Sequence, residues 1–218
     1  MQNRHALRLF LPALILAFAS SALHAQAIAP SVLSQTDVAL SVYGSFPGAT
    51  NGNGVAESPA NAAGGIVEVR HIRNPIIGYE ATYSWNRANQ NYSSTSYACP
   101  VANPQCNPPA PASVSANAHE ITGDWVASLK VAQFRPFALA GVGVLLNQPS
   151  SGQTDTTSDT KGVFVYGAGL DWGLLPHIGV RLQYRGNLYK APDLTRLYTS
   201  TDAFTHNSQP MIGVYFRL

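Results

Sequence analysis

Along most of the chain apolar and polar residues alternate with a period of two, in segments of about ten residues, the signature of β-strands with two unlike faces. Tyr79, Ala81, Tyr83 and Trp85 share one face, with Glu80, Thr82, Ser84 and Asn86 on the other. Ile121, Gly123, Trp125, Ala127 and Leu129 alternate with Glu120, Thr122, Asp124, Ser128 and Lys130, and Val126 is the one apolar intruder. Phe164, Tyr166, Ala168, Leu170 and Trp172 oppose Val163, Val165, Gly167, Gly169 and Asp171. Ile178, Val180, Leu182, Tyr184 and Leu188 oppose Arg181, Gln183, Arg185 and Asn187, while Val38, Leu40 and Val42 oppose Asp37, Ser41 and Tyr43. Segments 66–73 and 137–146 fit less cleanly, and the last, 211–218, sets Ile212, Val214, Phe216 and Leu218 on one side. The pattern predicts eight strands.

The links between them alternate too. Short ones fall at 74–75, 133–135 and 175–177, and long polar ones at 47–63, 88–117, 148–160 and 191–208. Short and long links alternating over an even number of strands are the layout of an eight-stranded antiparallel up-and-down transmembrane β-barrel. Sidedness follows: bulky aromatics face lipid, and polar groups with Gly167, Gly169, Gly179 and Gly213 fill a narrow interior.

The N-terminus sets the compartment. Arg4 and Arg8 precede about eleven apolar residues (9–19) and a small-residue stretch ending at Ala25 and Ala27, the three parts of a secretory signal peptide. Residues 1–27 are read as that signal, cleaved after Ala25 or Ala27, and 28–218 as the barrel domain. Thirteen Lys and Arg against eleven Asp and Glu give +2; without Arg4 and Arg8 the balance is eleven against eleven, so no basic face exists to hold nucleic acid. In an oxidising compartment Cys99 and Cys106 read as a disulfide closing a small loop.

With these residues in place, the chain resembles the small eight-stranded outer-membrane β-barrel families of diderm bacteria, the OmpA/OmpX-like type. The C-terminus carries the sharpest likeness: Gly213, Phe216 and Leu218 match the family's assembly signal, a Gly followed by hydrophobic residues at the third and fifth positions after it. Ile212 stands where a polar residue is common, and Leu218 where a terminal Phe is. The resemblance implies an outer-membrane location, contact with outer-membrane lipid and recognition by the barrel-assembly machinery. Some eight-stranded relatives are lipid A deacylases or acyltransferases, and His206-Asn207-Ser208 shares the His-x-Ser spacing of such a deacylase. No Asp or Glu follows Ser208, leaving Asp202 as a supporting acid from elsewhere, and a nucleophile needs a base held by a third group. His71, His119 and His177 are scattered as rim or interface residues. The reading is not an enzyme, with no catalytic residues, metal or cofactor.

The inward positions collect Asp37, Glu68, Arg70, Glu80, Glu120, Asp124, Lys130, Asp171, Arg181, Arg185 and Arg217. Buried charges are costly unless paired. A turn centred on Pro75 opposes Arg70 to Glu80, one centred on Pro176 opposes Asp171 to Arg181, and closure of the last strand on the first brings Arg217 to Asp37. The predicted result is a polar network of Asp37, Arg70, Glu80, Glu120, Asp124, Asp171, Arg181, Arg185 and Arg217 that closes the lumen. The expected protein is a monomer with a structural or surface-interaction role, its external loops available to a surface partner. The alternative is a small passive channel for ions or small solutes.

Overall fold

The computed structural model describes residues 35–73, 76–95 and 110–218. The expected signal peptide, the expected 74–75 link and the pair Cys99 and Cys106 lie outside them. Ten strands run in sequence: β1 (Gln35–Pro47), β2 (Thr50–Gly52), β3 (Val55–Pro59), β4 (Ala62–Ile72), β5 (Ile77–Ser94), β6 (Ala112–Ser128), β7 (Phe134–Pro149), β8 (Asp159–Gly173), β9 (Ile178–Lys190) and β10 (Phe204–Arg217). Neighbours pair antiparallel in the order β5-β4-β1-β10-β9-β8-β7-β6, and β5 also pairs with β6, which closes a ring of eight. The small hairpin β2–β3 sits outside that ring, on the upper part of β5.

The faces are inverted relative to a water-soluble protein. Trp125 is 62% exposed and Val142 66%, whereas Asp37, Glu68, Arg70, Asp171, Arg181 and Arg185 are each 0% exposed. A continuous apolar belt of Leu40, Val42, Val67, Val69, Ile121, Leu182, Ile212 and Val214 far exceeds the apolar patch a soluble monomer shows to water. Only a lipid surround makes it favourable.

Strand lengths place the water boundary. About ten residues per tilted strand suffice to cross a bilayer, yet β5 has 18. Its outward residues change from Tyr79, Tyr83 and Trp85 to Arg87, Asn89 and Asn91. The aromatics mark the lipid interface and the polar ladder above them stands in water. The sequence reading ended these strands too early. Residues 88–94 and 112–117, expected as loop, are strand, and β10 begins at Phe204 instead of 211. Above the lipid both faces meet water or polar neighbours, so the apolar–polar alternation that signals a strand fades while the hydrogen-bond ladder continues.

The stretch 47–63 also departs from a plain loop. Asn53 and Gly54 take φ of 53° and 77°, the mirror-image turn that Asn-Gly favours, and fold β2 onto β3. Interior glycines face aromatic rings on the adjacent strand. Gly179 lies opposite Tyr215 and Gly169 opposite Phe137, and a Cβ at either would stand 2.4 Å from a ring carbon. Glycine there lets a ring lie flat on the opposing backbone.

Candidate functional site

The lumen is the most developed polar site. Its lower tier is built where the short turns bring adjacent strands into register. Arg70 on β4 lies opposite Glu80 on β5, and its Nε donates to Glu80 Oε2 at 2.6 Å. Asp171 on β8 lies opposite Arg181 on β9, whose Nε donates to Asp171 Oδ1 at 2.7 Å. Arg135 joins them, donating from Nη2 to Asp37 Oδ2 at 2.6 Å and to Asp171 Oδ2 at 2.8 Å. Arg181 Nη2 donates to Asp37 Oδ1 at 2.8 Å, so two guanidiniums bridge two carboxylates across the barrel.

Higher up, Arg181 Nη1 lies 3.6 Å from Glu68, and Ser41 donates to the same carboxylate. Arg185 reaches Asp124 at 3.1 Å and the Thr122 hydroxyl at 3.1 Å. Asn187 donates to Glu120 at 2.7 Å. Two aromatic side chains brace this assembly from inside. The Arg70 guanidinium sits 3.9 Å from the Phe137 ring centre, and Tyr215 has Arg135, Arg181 and Arg217 within 6.0 Å.

Three expectations need correction. Arg217 is the backbone partner of Asp37, but the Asp37 carboxylate is held by Arg135 and Arg181; the Arg217 guanidinium lies against Tyr215 and the Pro176 carbonyl. Register brings the backbones together, and the shorter reach of the two buried guanidiniums decides the partner. Lys130 is exposed in the turn after β6, outside the lumen. Arg135, read as part of a turn, is a central member; the turn falls one step earlier, where Ala132 takes φ of 54° and Val131 bridges Phe134. The alternation of Arg135, Phe137 and Leu139 with outward Phe134 could have revealed it. Nor is the interior polar throughout: Leu139, Leu145, Val163 and Val165 on β7 and β8 make an apolar wall.

Above the ion pairs lies a cavity of about 30 Å³, lined by Tyr43, Ser84, Asn86, Glu120, Asn147 and Asn207 among others. That is room for water, and Asn147 Nδ2 and Glu120 Oε1 are buried there without hydrogen-bond partners.

Residues 191–203, which join β9 to β10, lie across the mouth. Ala191 N donates to the Ala203 carbonyl at 2.9 Å, pinching the loop at its base. From there it crosses to β5, four strands away around the ring of eight. Tyr92 Oη donates to the Pro192 carbonyl at 2.9 Å and accepts from Leu194 N at 3.3 Å. Leu194 is fully buried against Val55, Tyr92, Val114 and Tyr198.

The His206–Ser208 pair sits on the lipid-facing side of β10. Ser208 Oγ lies 3.5 Å from His206 Nδ1, and His206 Nε2 lies 2.9 Å from Tyr166 Oη. Asp202 instead binds Lys190 at 2.7 Å, and among the described residues no carboxylate hydrogen-bonds to His206. His119 pairs with Tyr83, His71 with Thr36, and His177 with the Arg217 carbonyl, each at a rim or interface position. Among the described residues no group of three His, Cys, Asp or Glu is arranged to hold a metal.

The sequence profile described as "Outer membrane protein beta-barrel domain" matches residues 13–216. No curated protein matches. Among solved structures, the chain is similar to Neisserial surface protein A (NspA), at 11% identity and TM-score 0.55, covering 84% of this chain and 97% of that one. It is similar to the outer membrane protein OprG from Pseudomonas aeruginosa, at 8% identity and TM-score 0.53, covering 85% and 97%. The attachment invasion locus protein Ail of Yersinia pestis, in complex with the heparin analogue sucrose octasulfate, aligns at 16% identity and TM-score 0.50, covering 85% and 99%.

Proposed function

Because this chain belongs to the outer-membrane protein β-barrel family and resides in the outer membrane of a Gram-negative bacterium, we propose that it works there as a closed, monomeric, non-enzymatic barrel with a structural or surface-interaction role. The observation that carries this reading is the filled lumen. Four guanidiniums, Arg70, Arg135, Arg181 and Arg185, and six carboxyls, Asp37, Glu68, Glu80, Glu120, Asp124 and Asp171, interlock across the full width of the barrel. An eight-stranded barrel has an interior just wide enough for side chains, and this filling supports a lumen without an open pore.

A surface role is supported by what stands above the lipid. Strands β5 and β6 project Arg87, Asn89, Asn91, Ser113 and Ser115 outward, with Arg87 donating to Ser115 and Ser113 to Asn91. Rigid strands presenting amides and hydroxyls lose little entropy on binding. Lys161 and Lys190 are each neutralised by a neighbouring Asp, so the rim favours an uncharged polar partner over a polyanion such as the sulfated sugar bound by Ail. Gly213 and Phe216 on the closing strand, with Leu218 just past its end, are the residues proposed to be offered to the assembly machinery, and Cys99–Cys106 is proposed as a disulfide in the segment between β5 and β6. Planar-bilayer recordings of the purified protein test the closed lumen: silence is expected, and stepwise single-channel conductance in native protein would establish the small-channel alternative.

A further inference from the structure

Glu57 on β3 is 1% exposed, faces into the mouth opposite Tyr92 and Thr50, and its Oε1 has no hydrogen-bond partner. Across from it the 191–203 loop brings Asp193, whose backbone N–H donates to Asp159 Oδ2 at 2.7 Å. We propose that residues 191–203 are a proton-controlled lid: with Glu57 neutral the loop is clamped into the mouth, and when Glu57 ionises, its charge against Asp193 and Asp159 lifts the loop from β5.

The clamp is built from contacts that fail together. Leu194 packs against Val55 on β3 and Tyr92 on β5, Tyr92 holds the loop at Pro192 and Leu194, and Thr157 N donates to the Leu194 carbonyl at 3.1 Å. Thr201 meets Thr50 at 3.2 Å, and Asn53 Nδ2 donates to the Ser200 carbonyl at 2.8 Å, so the β2–β3 hairpin that carries Glu57 also carries the far end of the lid.

The groups around Glu57 are Asp193 on the lid, Asp159 and Lys161 on β8, Tyr92 on β5 and Tyr189 on β9. Lys161 is the one cation among them and is engaged by Asp159 at 3.0 Å. Burial, then the charges of Asp193 and Asp159, push the Glu57 carboxyl up to about 8 from its ordinary 4.5. With the lid lifted the carboxyl is hydrated and titrates near its ordinary value. The closed state therefore binds more protons between pH 4.5 and 8. Closure is strongest below that window, weakens as pH rises through it, and reaches its floor above it. Within it, opening grows by up to about tenfold per pH unit.

Arg196 is the one Lys or Arg in residues 191–203 and reports the lid position. Its side chain is exposed, but its own N–H bonds the Asp155 carbonyl and its neighbour Thr195 bridges Thr156, so trypsin, which must draw an extended segment into its cleft, cuts there faster when the loop lifts. Cleavage at Arg196 is measured in the intact, lipid-reconstituted protein at pH 6 and 8.5, normalised to a free peptide of the same sequence. Wild type should cut about tenfold or more faster at the higher pH, and Glu57→Gln should show equal rates at both. An Asp193→Asn variant, which leaves β3 untouched, should show a smaller rise than wild type. A pH-independent rate in wild type, or the same rise in Glu57→Gln or Asp193→Asn, overturns the lid. Either result leaves the conductance test of the lumen unaffected.

Discussion

Asp171 shows what single residues do in this lumen. Its Oδ1 accepts from Arg181, and its Oδ2 accepts from Arg181 and Arg135 and lies 3.4 Å from Arg70, so three guanidiniums share one carboxylate. Asp171→Asn should destabilise the barrel by about 3–5 kcal/mol, because Arg70, Arg135 and Arg181 each lose one of their buried carboxylate partners; the midpoint of urea unfolding in lipid vesicles measures it. Glu80→Arg should cost a similar amount by the same assay. Adding Arg70→Glu should recover only part of the loss, since the new carboxylate would face Asp171 and the new guanidinium would face Arg181, 3.5 Å from the present Glu80. The offsets between Arg70 and Glu80, and between Asp171 and Arg181, are legible in the chain because a tight turn links sequence separation to register. The role of Arg135 is not legible from turn spacing, because one residue of error in the turn moves every following side chain to the other face.

For the strands, two consequences are local. Gly213 lies on the seam where β10 closes on β1, opposite Ser41, and a Cβ there would stand 2.1 Å from Ser41 Oγ and 2.4 Å from the Leu40 carbonyl. Gly213→Val should spread the seam and cost about 1–3 kcal/mol of overpacking, seen as slower folding into vesicles. On the lipid side, Val142→Arg should destabilise by about 2–4 kcal/mol if it lies near the bilayer midplane, and by much less near either interface. Measuring it beside the same change at Leu129, close to the lower rim, separates depth from side-chain size. Alternation disclosed the lipid-crossing parts of all eight barrel strands. It missed their upward extensions, and it missed β2–β3, although the Asn53-Gly54 pair signals that hairpin by its demand for positive φ.

At the scale of the molecule, closure makes the barrel one cooperative unit. Detergent-extracted protein should migrate differently on SDS gels with and without boiling, because heat is needed to open a ring without edges. The two layers proposed to close the lumen are separate, one of ion pairs within the barrel and one of apolar contacts at the mouth. Replacing residues 192–202 with a short Gly-Ser linker should therefore leave planar bilayers silent, since the ion pairs below persist. By itself the sequence determined the number of barrel strands, the inverted faces and the even balance of charge outside residues 1–27, because a two-residue period and turn spacing are local properties. Only the tertiary structure decided which guanidinium meets which carboxylate beyond the two turn-linked pairs, that β7 and β8 line the interior with apolar side chains, and that the last long loop lies across the mouth. Those depend on distances across the barrel, between residues such as Tyr92 and Leu194, and local periodicity does not encode them.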